Sequence, residues 1–171
     1  QFQSTSKGAA YNFNLNNNRR LSFLAPINKQ NSLRLPARFQ IAPQEIGEVA
    51  SSIDITYALQ KHISVNFNAS IIDTIGWKDP YYREAMLDVE FKKLLKGKLD
   101  LHVGAQYIYL NQIRYQVEGV KDMQAVTGFI EPTLRLSRKK SIRLELQVQN
   151  APKDIGQSVF ALLEYSVAPH W

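Results

Sequence analysis

The chain has 171 residues and a formal net charge of +6. It contains no cysteine, which excludes disulfide bonds and thiolate metal sites. No apolar run approaches the roughly 20 residues of a transmembrane helix, so a helical span is excluded. A membrane β-barrel is not excluded, because its apolar residues alternate with polar ones and form no long run.

Residues 1–45 show only weak patterns, and we predict weakly patterned strands and a loop there. The segment 11–15 alternates apolar residues with asparagine and predicts a strand. The segment 33–41 also alternates, but Pro36 has no N–H for a sheet, so this second candidate is an edge strand, a bulge or a loop. Gln1 does not begin a signal peptide, so an exported form of the protein would contain this chain as a mature or internal segment.

Residues 46–171 alternate regularly between apolar and polar side chains, a pattern that predicts antiparallel β-strands. The clearest example is Ser141–Gln149. Short connections are predicted near residues 61, 95, 139 and 169, and longer ones near residues 77, 117 and 153. Bacterial outer-membrane barrels combine short periplasmic turns with longer extracellular loops. The sequence therefore predicts an all-β, antiparallel, up-and-down transmembrane β-barrel. About seven firm strands are visible and such barrels close with an even number, so we expect an incomplete part of a larger barrel.

The alternation assigns the strand residues to two faces. We predict that the apolar face contacts lipid through Ile63, Val65, Phe67, Leu87, Val89, Phe91, Leu101, Val103, Ile142, Leu144, Leu146, Val148, Ala161 and Leu163. We predict that the polar face lines a lumen through Asp88, Glu90, Lys92, Asp100, His102, Glu131, Arg135, Arg143, Glu145 and Glu164. The predicted periplasmic turns contain Lys61, Lys96, Gly97, Lys139 and Pro169.

The predicted lumen carries charges of both signs at strand centres. Across one hairpin we expect Lys92 to face Asp100 and Glu90 to face His102, pairs that stabilise a sheet by roughly 0.2–1 kcal/mol each. The functional interpretation is a charge-selective channel. The structural interpretation, which we favour, is a filled interior whose charges satisfy one another.

A soluble β-sandwich or lipocalin-like barrel also alternates, so this alternative stays open. The charges at strand centres favour the membrane barrel. So do tyrosine and tryptophan residues that gather toward strand ends, as in an interfacial girdle.

The three histidines predict neither a metal site nor a catalytic site. His62 and His170 are expected in turns, and no spacing brings three or four ligands together. We therefore predict no metal, no cofactor and no enzymatic activity. The basic residues lie in turns and not on one continuous face, so we predict no nucleic-acid partner.

Three segments carry a resemblance to known proteins: Ala42–Glu48, Lys140–Gln147 and, most specifically, Leu162–Trp171 (LLEYSVAPHW). Through these segments the chain resembles an uncharacterised family of outer-membrane β-barrel proteins from Bacteroidota. Members of that family are longer, so the resemblance implies that this chain is a fragment. It also implies a location in the outer membrane of a Gram-negative bacterium, and it implies no activity.

These observations favour a non-enzymatic outer-membrane barrel that is a structural or accessory subunit of an envelope complex for secretion, uptake or barrel assembly. The alternatives are a porin-like diffusion channel and a soluble binding module. The expected partners are outer-membrane lipids and lipopolysaccharide, with another outer-membrane or periplasmic protein as a further candidate.

Overall fold

A computed structural model describes residues 2–4, 32–38, 48–74, 80–111, 122–154 and 156–168. The predicted strand at residues 11–15 lies outside these ranges. The described residues form one short strand and seven long ones, with a 3-10 turn at Pro36–Arg38 and a helical turn at Leu94–Gly97. The strands are β1 (Phe2–Ser4), β2 (Glu48–Gln60), β3 (Ile63–Thr74), β4 (Tyr82–Lys93), β5 (Leu99–Leu110), β6 (Met123–Arg135), β7 (Lys140–Ala151) and β8 (Gly156–Val167).

All eight strands belong to one sheet, and neighbours in the sheet are neighbours in the sequence. Every adjacent pair is antiparallel, so the prediction of an all-β, up-and-down antiparallel fold is confirmed. The predicted closure into a barrel is not found, because β8 pairs only with β7 within the described residues and the sheet stays open. The small strand β1 covers only Val49–Ser51 of β2, which leaves the rest of that edge unpaired within the same residues.

The short connections lie at one end of the sheet and occupy residues 61–62, 94–98 and 136–139. Lys61, Lys96, Gly97 and Lys139 lie in these turns as predicted, and Pro169 lies outside the described residues. Gly97 has φ +88°, a backbone conformation that glycine adopts without steric cost.

The opposite end of the sheet has the longer connections, residues 75–81 and 111–122. The prediction of a third long loop was wrong, because only residues 152–155 separate β7 from β8. Asp154 N–H donates to the carbonyl of Ala151 there and closes a tight turn.

Pro132 lies inside β6, although a proline is unfavourable in the interior of a sheet. The pairing of β6 with β7 is interrupted there: Ile130 pairs with Leu146, and pairing resumes with Thr133 and Arg143. On the other side of β6, Pro132 pairs in register with Leu101 of β5. The sheet accommodates this proline by giving up pairing on one side, since proline has no N–H to donate.

The segment 33–41 is not a strand in the part that the structure describes. Residues 32–38 form turns, and Ala37 N–H donates to the carbonyl of Leu33 at 3.2 Å. The loop alternative for this segment is therefore the one that the structure supports.

Candidate functional site: the two faces of the sheet

Burial on the two faces of the sheet is the reverse of that in an ordinary soluble sheet. In β7, Glu145 and Gln147 are 6% and 0% exposed, whereas Leu146 and Val148 between them are 37% and 57% exposed. We call the face of Glu145 and Gln147 the inner face and the face of Leu146 and Val148 the outer face. Soluble sheets with one solvated face bury their apolar side and expose their polar side.

The outer face is a continuous apolar band across β2 to β8. Counted over β3 to β8, four successive rows of cross-strand neighbours contain only aliphatic, aromatic, proline and glycine residues, from the row of Phe67 and Leu87 to the row of Leu99 and Leu134. Rows on one face are two residues apart, so these four span about 20 Å along a strand. The band is close in height to the roughly 25 Å apolar belt of membrane barrels.

Polar groups border the band at both ends of the sheet. At the long-loop end, Arg83 donates from both terminal nitrogens to the carboxylate of Asp73, at 2.8 and 2.9 Å. Tyr109 Oη donates to Asp122 Oδ2 at 2.8 Å at the same end. At the other end the short turns and the last residue of β4 carry exposed lysines and one arginine: Lys61, Lys93, Lys96, Lys98, Arg138 and Lys139.

The inner face is acidic although the whole chain is basic. Among strand residues with described side chains, strand alternation places eight carboxylates on this face against three lysine or arginine side chains. The carboxylates are Asp54, Glu84, Asp88, Glu90, Asp100, Glu131, Glu145 and Glu164, and the cations are Lys92, Arg135 and Arg143. Such a surface attracts cations.

Arg143 connects three of these carboxylates across β6, β7 and β8. Its Nε donates to Glu131 Oε1 at 2.6 Å, and its terminal nitrogens reach Glu145 at 3.1 Å and Glu164 at 3.3 Å. Glu145 is the most buried of the three and also accepts from Gln147 Nε2 at 2.6 Å. Thr133 faces Arg143 across β6 and β7, and Arg135 pairs with Asp100 of β5.

A second group joins β3, β4 and β5. His102 and Glu90 are directly opposite, as predicted, and Asp88 lies on the same face of β4. His102 Nε2 lies 2.9 Å from Asp88 Oδ2, which also accepts from Asn66 Nδ2 at 2.7 Å. Lys92 forms its ion pair with Glu90 at 2.6 Å and not with Asp100.

Gly104 faces Asp88 in the next strand and leaves no room for a side chain. A Cβ at this position would lie 2.5 Å from the carbonyl oxygen of Leu87 and 2.6 Å from Asp88 Cβ. We expect Gly104→Ala to lower the free energy of unfolding by about 1–3 kcal/mol, since the sheet must shift to admit the methyl group.

The matched control for Gly104→Ala is Gly128→Ala, because a Cβ at Gly128 meets nothing within 4 Å. Urea unfolding followed by far-ultraviolet circular dichroism measures both variants. Equal stability of the two alanine variants would contradict the close approach at Gly104.

The middle of the inner face is filled with hydrogen-bonded polar groups. The buried carboxylate of Glu84 accepts from Ser70 Oγ at 3.0 Å and from Gln106 Nε2 at 2.5 Å. Gln149 Nε2 donates to Thr127 Oγ1 at 2.8 Å one strand pair further on. Toward the long-loop end the same face ends in a buried apolar cluster: Ala50, Ile72, Tyr81, Tyr82, Ile108, Leu110, Met123, Ala125 and Ala151.

The segment 32–38 lies against the inner face. The N–H of Leu35 donates to Gln147 Oε1 at 3.0 Å, across 112 positions of sequence. Leu33 is buried in one cluster with Met86 of β4 and Phe129 of β6. A segment from the weakly patterned region thus covers part of the polar face and occupies its middle.

Comparison with known families gives a single result. The model of a family of unknown function, DUF6029, matches residues 1–171. The chain belongs to the DUF6029 family. No curated protein and no solved structure was found to be similar to it. Within the described residues, no helix is long and apolar enough to cross a membrane.

In this DUF6029 chain the predicted site residues divide between the faces as the alternation assigns them. All fourteen residues predicted to face lipid lie on the outer face, and all ten predicted for the lumen lie on the inner face. The contact of these residues with lipid or with a lumen stays a prediction. The predicted set of lumen-facing residues did not include Asn66, Glu84, Gln106 and Gln147, although strand alternation places all four on the same inner face.

Proposed function

We propose that this chain forms part of the wall of an outer-membrane β-barrel and acts without enzymatic activity, as a structural or accessory subunit of an envelope complex. One observation carries the proposal: the apolar side chains of seven consecutive strands form a band on the outer face, while the charged side chains at the strand centres lie on the inner face. In lipid this arrangement buries the band and keeps the charges paired with one another.

The energetic argument favours lipid over water on the outer face. Large apolar side chains there remain exposed, among them Leu87 at 52%, Val148 at 57% and Leu163 at 71%. Monomeric soluble proteins rarely expose a contiguous apolar patch larger than a few hundred Å². A band that crosses seven strands needs a covering phase, and the bilayer supplies one of the right height.

A filled interior supports a structural or accessory role. The segment 32–38 covers the middle of the inner face, and Arg143 and its carboxylates neutralise one another. A wide aqueous pore would leave such groups facing water. Outer-membrane lipid and lipopolysaccharide are the partners that fit the outer face. The second edge of β8, which no described strand pairs with, suits a further strand that completes the wall.

A test of the proposal is insertion of the whole chain into phospholipid vesicles. We expect β-structure to form only with vesicles or detergent, and the strands to be protected from added protease while the long loops are cut. A folded, monomeric chain in buffer without detergent or lipid would overturn the proposal and favour the soluble binding module.

A diffusion channel is the second candidate, and the acidic inner face is the observation that favours it. Such a channel would prefer cations over anions. Planar bilayers containing the inserted protein would then show discrete conductance steps with cation preference. Absence of conductance in correctly inserted protein would remove this candidate and leave the structural role intact.

A further inference from the structure

We propose that Asp88, Glu90 and His102 on the inner face form a binding site for a divalent transition-metal ion, with Zn²⁺ as the best match. Each of the three residues offers one ligand atom, and these atoms all lie within 4.8 Å of one another. The sequence predicted no metal site, because no pair of histidines has ligand spacing along the chain. The pairing of β4 with β5 assembles the three residues instead.

The sheet holds the three ligands on rigid elements. Glu90 and His102 are directly opposite in adjacent antiparallel strands, and Asp88 precedes Glu90 by two positions on the same face. Zinc bonds of about 2.0–2.2 Å place two ligand atoms of one ion about 3–3.5 Å apart. The three ligand atoms must therefore move toward one another by about 1 Å to bind one ion. Side-chain rotation about χ1 and χ2 supplies a movement of this size without a change in the backbone.

Neighbouring groups orient the ligands as outer-shell partners of metal sites do. Asn66 Nδ2 donates to Asp88 Oδ2, and the ring of Phe129 meets the imidazole of His102 edge to face, with centroids 4.9 Å apart. Gly104 opposite Asp88 has no side chain, and β4 and β5 approach closely at this position. Outer-shell contacts of this kind fix the direction of the ligand lone pairs.

The charges favour a cation at this position. Two carboxylates contribute two negative charges, and the inner face around them is acidic. Lys92 forms an ion pair with Glu90, but the Lys92 side chain is 62% exposed, and an exposed ion pair is released at little cost. The imidazole selects zinc and similar ions over Mg²⁺ and Ca²⁺, which prefer oxygen ligands alone.

The test is titration of the folded protein, in the detergent or lipid that keeps it folded, with ZnCl₂ in an isothermal calorimeter. We expect one equivalent of Zn²⁺ to bind, and His102→Gln and Asp88→Asn to weaken that binding at least tenfold. His62→Gln is the matched control, because His62 is an exposed histidine in the turn between β2 and β3, and it should bind Zn²⁺ as the unsubstituted chain does.

Should His102→Gln fail to fold by circular dichroism, Glu90→Gln replaces it, since the Glu90 side chain is one third exposed and its substitution breaks only the ion pair with Lys92. The proposal is overturned by absence of stoichiometric Zn²⁺ binding, by unchanged binding in these variants, or by Ca²⁺ binding as tightly as Zn²⁺. The outcome is independent of membrane insertion, so it tests the metal site apart from the proposed function.

Discussion

Leu87→Arg is expected to lower the free energy of unfolding in phospholipid vesicles by about 2–4 kcal/mol, because the guanidinium would lie near the middle of the bilayer. Leu87 is 52% exposed and lies in the row of Phe67 and Ala105, well inside the apolar band. If water covered the outer face, the same substitution would change stability by no more than about 0.5 kcal/mol, as surface substitutions usually do. The measurement is urea unfolding in vesicles, followed by far-ultraviolet circular dichroism.

The control for Leu87→Arg is Leu136→Arg. Leu136 is 51% exposed, so the two leucines are equally accessible, but Leu136 lies in the short turn after β6. Near the membrane interface an arginine costs only about 0–1 kcal/mol. Because the two leucines are equally exposed, a difference between the two losses of stability reports the depth of each position in the bilayer. Equal losses for the two substitutions would contradict a lipid-covered band.

The two faces could be predicted from the sequence because the side-chain period of a strand is fixed. Alternation alone places Gln147 and Val148 on opposite sides, and the opposition of Glu90 and His102 follows from a short turn between β4 and β5. Alternation does not show which face is covered. The burial of Glu145 beside the exposure of Leu146 supplies that orientation.

Register and long-range contacts could not be predicted in the same way. The alternation leaves the register of β6 against β7 open, and in the structure Arg135 faces Ser141. The turn sets this register through the N–H of Leu136, which donates to the carbonyl of Lys140 at 2.9 Å, and many residues allow such a bond. The packing of residues 32–38 on the inner face depends on contacts with strands far away in sequence, for which local periodicity gives no signal.

The grouping of Asp88, Glu90 and His102, on which the proposed metal site depends, was not predicted from the sequence for the same reason. Spacing rules for ligands describe residues on one helix or in one loop, and Asp88, Glu90 and His102 belong to two strands. Only the cross-strand register brings the imidazole to the two carboxylates. The predicted pair of Glu90 and His102 supplies two of the three residues of the proposed site. The third, Asp88, lies on the same face of β4 as Glu90.

Arg143 is expected to be sensitive to substitution, because it joins three carboxylates of the acidic inner face. Arg143→Met is expected to lower the free energy of unfolding by about 2–4 kcal/mol, because Glu131, Glu145 and Glu164 would lose their common cation. Removal of one partner from a buried ion pair costs about 3–5 kcal/mol, and the arginine side chain is one third exposed, which reduces the loss. Urea unfolding under the conditions used for Leu87→Arg measures it.

A double substitution separates loss of charge balance from loss of packing by the arginine stem. Adding Glu145→Gln to Arg143→Met removes the most buried of the three charges and keeps an oxygen that accepts from Gln147, so it should restore a large part of the lost stability. Arg138→Met, in the exposed turn after β6, is the control and should change stability by less than about 0.5 kcal/mol. If Arg143→Met lowers the free energy of unfolding no more than this control does, solvent and not the arginine balances the three carboxylates. The inner face would then be open to bulk water, which contradicts the filled interior proposed above.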